Sequence, residues 1–196
     1  MAVIQMATKP GERKLQILQT LAEMLEKPSA EKITTAALAA KLDVSEAALY
    51  RHFASKAQMF EGLIAFIEET VFGLVNKISA EQQNGVAQIE AILVMLLGFA
   101  KKNPGMTRVL IGDALVNENE RLQVRINQLH DRLETTLRQC MRFAITEKQL
   151  PELDAAAQAN LLLCFVVGRW AQYAKSGFKR DPMEYWPQQW KELLPR

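Results

Sequence analysis

Apolar residues recur at intervals of three and four along almost the whole chain and nowhere alternate with polar ones, so the sequence is confined to an all-α fold. The strictest case runs from Glu118 to Ala144, where Leu122, Ile126, Leu129, Leu133, Leu137, Cys140 and Ala144 step by 4, 3, 4, 4, 3 and 4, the spacing of a bundle seam. Gly11–Lys27 presents one broad apolar face and ends before Pro28. Thr35–Leu42 and Glu46–Phe53 are two short helices separated by Asp43, Val44 and Ser45. Ser55 opens S-K-A-Q, a capping box, and a stripe through Met59, Phe60, Leu63, Ile64, Ile67, Val71, Leu74, Val75 and Ile78 follows it for about six turns. Glu81–Gly85 breaks that helix, Val86–Lys102 resumes it, and Asn103-Pro104-Gly105 stops it again before a short segment from Met106 to Leu115. Pro151 closes the seam helix, Asp154 caps a last long helix through Tyr173, and the tail carries one short helix, for about nine helices in all.

Composition excludes several classes. The runs Ala91–Ala100 and Leu161–Val167 fall short of the ~20 apolar residues needed to span a bilayer, so no membrane contact is expected. Met1–Lys9 lacks the features of a secretory signal, and a cytoplasmic location is the expectation. Cys140 and Cys164 sit among apolar residues at helical spacing and read as reduced core thiols. The formal charge of +2 implies no nucleic acid by itself. Its distribution is uneven: residues 1–60 hold eight basic and six acidic residues, whereas 61–196 hold sixteen of each. The excess lies entirely in the first third.

That third contains Ile33–Lys56, ITTAALAAKLDVSEAALYRHFASK, a helix-turn-helix pattern. Ala39 supplies the small residue where the helices touch and Val44 the apolar plug of the turn. Asp43 stands where a turn favours glycine, and Asp is among the few side chains that enter the left-handed region at modest cost. Ser45 caps the second helix, whose short residues Glu46, Ala47 and Ala48 allow close approach to a major-groove floor. Base reading falls to thymine methyls, to a guanine reached by Arg51, or to a cytosine amino group reached by Glu46. Thr34, Thr35, Tyr50, His52 and Lys56 are the donors for phosphates. Residues 1–56 thus form a DNA-binding domain and residues 57–196 a helical dimerisation and partner or ligand domain.

Over residues 11–65, and above all in LYRHFASK, the sequence resembles the TetR family of transcriptional regulators. The resemblance implies three helices followed by a fourth entering a second domain, with Phe53 in the small core and Tyr50, His52 and Lys56 as phosphate clamps. FEGLIAFIEE (Phe60–Glu69), LLGFAKKNPGMTRVLIGDAL (Leu96–Leu115) and ERLQVRINQL (Glu120–Leu129) are similar to the nucleoid-occlusion branch of that family, a likeness that fades after Gln149. It implies a nucleoid-associated dimer on dispersed chromosomal sites that antagonises the tubulin-like division protein FtsZ, so that no septum forms over the nucleoid. It also implies an FtsZ-facing surface at Phe66, Gly73, Leu74, Gly98, Lys101, Lys102 and Asn103. On the residues alone, Phe66 is either a core side chain or an exposed anchor. Lys101 and Lys102 either complement a helix C-terminus or meet an acidic tail. Leu74 stands where the resemblance leads one to expect a basic residue.

A palindromic site read by two helices requires a two-fold dimer, with higher-order assembly on DNA left open. Glu118–Ala144 and Asp154–Tyr173 offer an isologous four-helix interface with Leu129, Leu133, Leu162, Phe165, Val166, Arg169 and Trp170 as candidates, although the Leu122–Leu137 seam could equally pack inside one chain. The alternative function is a TetR-type repressor released from its operator by a small molecule, with Asn160, His130, Thr107, Met95, Met106 and Met141 as the residues of a pocket. No catalytic residue, metal or cofactor is expected. The two histidines, His52 and His130, form no metal spacing with the cysteines, and neither a G-x-S-x-G elbow nor a phosphate-cradling glycine loop occurs. Glu68, Glu69, Glu118 and Glu120 read as a solvated face.

Overall fold

A computed structural model describes residues 10–27 and 33–194. Pro28 and Met1–Lys9, on which two of the sequence expectations rest, lie outside the described residues. Among the described residues there are nine α-helices and no strand: α1 (Pro10–Leu25), α2 (Thr35–Lys41), α3 (Glu46–Tyr50), α4 (Lys56–Glu81), α5 (Gly85–Lys102), α6 (Pro104–Leu110), a 3₁₀ turn (Asp113–Leu115), α7 (Glu120–Thr146), α8 (Ala155–Lys175) and α9 (Trp186–Leu193). None of these helices is long and apolar enough to cross a membrane.

Local chemistry sets most of the boundaries. Ser55 Oγ accepts the Gln58 N–H at 3.2 Å, and the Gln58 side chain reaches back to the Ala54 N–H at 2.8 Å, one residue beyond the usual reciprocal partner. Asp154 Oδ1 accepts from both Ala156 and Ala157, the kind of cap that stabilises a helix by about 1 kcal/mol. α5 stops at Lys102, as the Asn103-Pro104-Gly105 segment predicts, but the next helix begins ahead of the expected Met106: Pro104 takes the first turn of α6, where its missing N–H costs nothing. Gly105 is required there, since a Cβ would lie 1.9 Å from the Ala22 carbonyl oxygen of α1.

The bundle core is built on the seam. Leu122, Ile126, Leu129, Leu133 and Leu137 of α7 are fully buried, together with Ile89, Leu93 and Leu96 of α5 and Leu162, Val166 and Trp170 of α8. The Trp170 indole donates to the Leu96 carbonyl at 3.1 Å, which removes the cost of burying its N–H. α7 packs on both α5 and α8, and α1 packs on α4 and α6. Two expectations fail here. Leu74, placed by periodicity in the α4 stripe, is 39% exposed, because the buried line continues from Val71 to Val75, with Ile78 packed against it, and leaves Leu74 at its edge. Cys164 is exposed whereas Cys140 is buried: the outer side of α8 has no cover among the described residues. Burial pushes the Cys140 thiol above its ordinary pKa.

The dimer candidates are corrected as well. Leu129, Leu133, Leu162, Val166 and Trp170 are completely buried within the single chain, so they present nothing to a second copy. A 3–4 seam must find apolar cover, and α5 supplies it. Arg169 is committed to its own tail, its guanidinium donating to the carbonyls of Pro182, Asp181 and Glu184 at 3.0, 2.8 and 2.8 Å. Phe165 is half-buried and its ring centroid lies 6.3 Å from that of Trp186. The apolar side chains left exposed on α7 and α8 include Phe143 and Leu161.

Candidate nucleic-acid interface

The turn between α2 and α3 adopts the conformation its residues dictate. Asp43 has φ +54°, in the left-handed region, and the Val44 N–H then donates to the Ala39 carbonyl at 3.0 Å. Ala39 is 3% exposed at the helix contact, and Val44 packs against the core. Thr34 caps α2 by accepting from Ala37 at 3.1 Å, and Ser45 caps α3 by accepting from Ala48 at 3.2 Å. Phe53 and Leu49 close the small core beneath them. α3 ends at Tyr50, shorter than its apolar pattern suggested, so Arg51 and His52 follow the helix rather than extend it.

A hydrogen-bonded chain joins the starts of the two helices. The Thr35 hydroxyl donates to Glu46 Oε2 at 2.6 Å, and the Tyr50 hydroxyl reaches Thr35 Oγ1 at 3.4 Å. Glu46 and Ala47 are exposed and Ala48 half-buried, leaving one carboxylate oxygen and two small side chains at the head of α3. Arg51 is exposed and His52 half-buried.

Lys56 is placed differently. Its ammonium pairs with the Glu118 carboxylate, from the turn that precedes α7, and sits 5.6 Å above the Phe60 ring. Glu118 was read from sequence as part of a solvated face, yet its side chain is only 12% exposed. No local pattern marks this pairing, because its partner lies 62 residues away. Arg108 was likewise not singled out. Its guanidinium donates to Asp113 at 2.6 Å and to the Leu25 and Lys27 carbonyls at 3.2 and 3.3 Å, tying the C-terminal end of α1 to α6.

The residues implied by resemblance for a partner lie on α4 and α5, which pack against each other. Phe66 is half-buried against the core, Leu74 is 39% and Val94 36% exposed, and a Cβ added at Gly73 or Gly98 would meet nothing within 4 Å. Lys102 is exposed. Lys101 pairs with Asp181 of the tail at 2.5 Å, and Asn103 spends its amide on the Phe99 carbonyl at 2.8 Å. Of the pocket residues, Thr107 donates its hydroxyl to Ala100 at 3.1 Å, Asn160 is exposed and bonds Glu134 at 2.8 Å, and Met106 and Met141 are core filler. His130 packs beside Trp170, ring centroids 6.1 Å apart, with its Nε2 unpartnered.

A three-helix head with a capped, left-handed turn, continued by a long α4 into a helical bundle, defines a TetR-type DNA-binding protein. Residues 17–63 match the model of the bacterial regulatory proteins of the tetR family, and residues 83–196 match that of the tetracyclin repressor-like C-terminal domain of SlmA-like proteins. A TetR transcription regulator from Haloarcula marismortui shares the fold with a TM-score of 0.80 at 17% identity, over 94% of this chain and 97% of that one. The nucleoid occlusion factor SlmA of Marinomonas sp. (strain MWYL1) is 52% identical over 96% of both chains. That of Alteromonas mediterranea is 51% identical over 94% of this chain and 95% of its own. The chain therefore belongs to the SlmA family of nucleoid occlusion factors within the TetR-type regulators.

Proposed function

We propose that the protein binds palindromic double-stranded DNA as a homodimer and, while bound to the chromosome, inhibits FtsZ assembly and septum formation over the nucleoid. The observation that carries the DNA reading is the Thr35–Glu46–Tyr50 chain, which fixes the heads of α2 and α3 in one surface. On this reading Ala47 and Ala48 let α3 approach the groove floor, and Glu46 accepts from a cytosine amino group. Thr34, Ser45, Tyr50, Arg51, His52 and Lys56 surround the contact with donors. A carboxylate facing a polyanion is unfavourable unless a base donor meets it, which makes Glu46 a specificity contact rather than an affinity contact.

Residues 1–56 serve as the DNA-binding part and 57–196 as the dimerisation and partner part, with half-sites about one helical turn or a multiple apart. The uncovered outer sides of α7 and α8, at Phe143, Leu161 and Cys164, support an interface there in place of the buried seam. The α4–α5 face supports FtsZ contact: Phe66, Gly73, Leu74 and Gly98 offer an apolar, open strip with Lys101, Lys102 and Asn103 at one end, suited to an acidic, apolar tail. The protein acts by binding and not by catalysis, in the cytoplasm on the nucleoid.

The test is twofold. FtsZ or its C-terminal tail should bind in a DNA-stimulated manner, and no binding with a bound duplex present overturns the division-inhibitor reading. Lys56→Ala should weaken affinity for every sequence and flatten the salt slope by about one unit of counterion release per protomer. An unchanged slope removes Lys56 from the phosphate set.

A further inference from the structure

Three ion pairs strap the start of α7 and the turn before it onto α4: Lys56–Glu118, Glu61–Arg121 at 2.7 Å and Glu68–Arg125 at 2.6 Å, the last reinforced by Arg125 donating to the Glu61 carbonyl at 3.2 Å. Their polarity is not uniform. In the second and third, α4 supplies the carboxylate; in the first, next to the helix-turn-helix, α4 supplies the cation. The first pair is also the most sheltered, with side chains 21% and 12% exposed. Glu118 belongs to a tight turn in which Asn117 is left-handed at φ +66°, and the Glu118 N–H donates to the Leu115 carbonyl at 2.9 Å. Beside it lies a cleft of about 560 Å³ between α1, α2 and the turn, lined in part by Asp113, Asn117 and Glu118.

A carboxylate and a phosphate oxygen make the same demand on an ammonium group: a charge-assisted acceptor. A lysine already paired with a carboxylate meets DNA with part of its charge cancelled, and a carboxylate left beside a phosphate is repelled by it. We propose that Glu118 is an internal phosphate surrogate, which holds Lys56 in the free protein and must surrender it when the helix-turn-helix engages a DNA backbone. The proposal rests on the reading of Lys56 as a phosphate donor. It makes the affinity for DNA of any sequence a competition between two anions, and it links DNA occupancy to the turn that starts α7. The cleft gives the displaced carboxylate room to move away from the phosphate.

The experiment measures binding of the full-length protein to a fluorescent duplex of arbitrary sequence across a salt series, for the wild type, Glu118→Gln, Lys56→Gln and the double variant, with thermal unfolding of each as the folding control. Glu118→Gln should tighten binding on the order of tenfold for the dimer and steepen the salt slope by about one per protomer. Glu118→Ala should shift binding in the same direction, which keeps the test valid if one variant is poorly folded. In the Lys56→Gln background, removing Glu118 should tighten binding by less than it does with Lys56 present, because only the repulsion of Glu118 from phosphate is then relieved. Unchanged or weaker binding by the Glu118 variants, while Lys56→Gln still loses affinity, overturns the surrogate and leaves Lys56 as a phosphate contact that Glu118 merely positions or does not affect. Wild-type binding by Lys56→Gln instead overturns the phosphate reading on which the proposal stands.

Discussion

Two lysines assigned to outside partners are both met by carboxylates of their own chain, and the two meetings differ. Lys56, at the head of α4, lies with Glu118 in a sheltered corner between the helix-turn-helix and the bundle, the pair 21% and 12% exposed. Lys101, at the tail of α5, lies with Asp181 on the open surface, the pair 56% and 40% exposed. An exposed pair contributes between nothing and about 1 kcal/mol and exchanges freely with water and salt. A sheltered pair is screened less, so removing either partner leaves the other in a poor environment. The same residue types at two helix ends thus make a sheltered pair that must be parted before its lysine can meet another anion in one place, and a readily available cation in the other.

The sheltered side should be the more easily broken. Gly105→Ala drives a Cβ to within 1.9 Å of the Ala22 carbonyl. It should cost upwards of about 3 kcal/mol, because neither α1 nor α6 can retreat without opening the joint beneath the helix-turn-helix. Thermal denaturation reads this directly, and a variant that melts like the wild type would remove α1–α6 packing from the support of the DNA-binding head.

His130 sharpens the contrast through pH. Burial beside Trp170 lowers its pKa from 6.5, an effect partly opposed by a backbone hydrogen bond with Leu110 and by Asp131. The unfolded chain therefore takes up a proton that the folded chain resists. Stability from this site is complete above about pH 6.5 and falls as the pH drops below it. Melting temperatures between pH 7.5 and 5.5 should decline less for His130→Phe than for the wild type, and equal declines would assign the pH dependence elsewhere.

The smallest effect belongs to the exposed pair. Asp181 is held below its ordinary 3.8 mainly by the hydrogen bond from Lys101, so its contribution is present above that value and fades only as the pH falls below it. Asp181→Asn should change stability at neutral pH by less than about 0.5 kcal/mol. A larger loss, measured by urea unfolding, would mean that the tail is anchored by this pair and not by the three carbonyls on Arg169.

The difference between the regions also tracks what was legible in the residues. The helix-turn-helix could be read closely because its determinants are local: Ser45 caps three residues ahead, Asp43 turns on its own dihedral, and Ala39 and Val44 meet within one turn. The α7 seam was legible as a buried face but not as a face buried against anything in particular. Leu129 and Leu133 were therefore offered to a second copy when α5 and α8 already covered them. Cys164 misled for the same reason, since an apolar neighbourhood in sequence does not say which side of α8 is covered. Glu118 gave no signal at all, being one acidic residue before a polar helix.

By itself, the sequence determined the all-helical fold, the punctuation of its helices, the capped turn of the DNA-binding head and, through residues shared with its relatives, the family. Those properties depend on interactions within a few residues of each other, where spacing alone fixes geometry. The tertiary structure decided which apolar faces remained open, which lysine was sheltered and which carboxylate met it. Such choices depend on residues dozens of positions apart being brought into one low-dielectric corner, and no spacing rule along the chain encodes that.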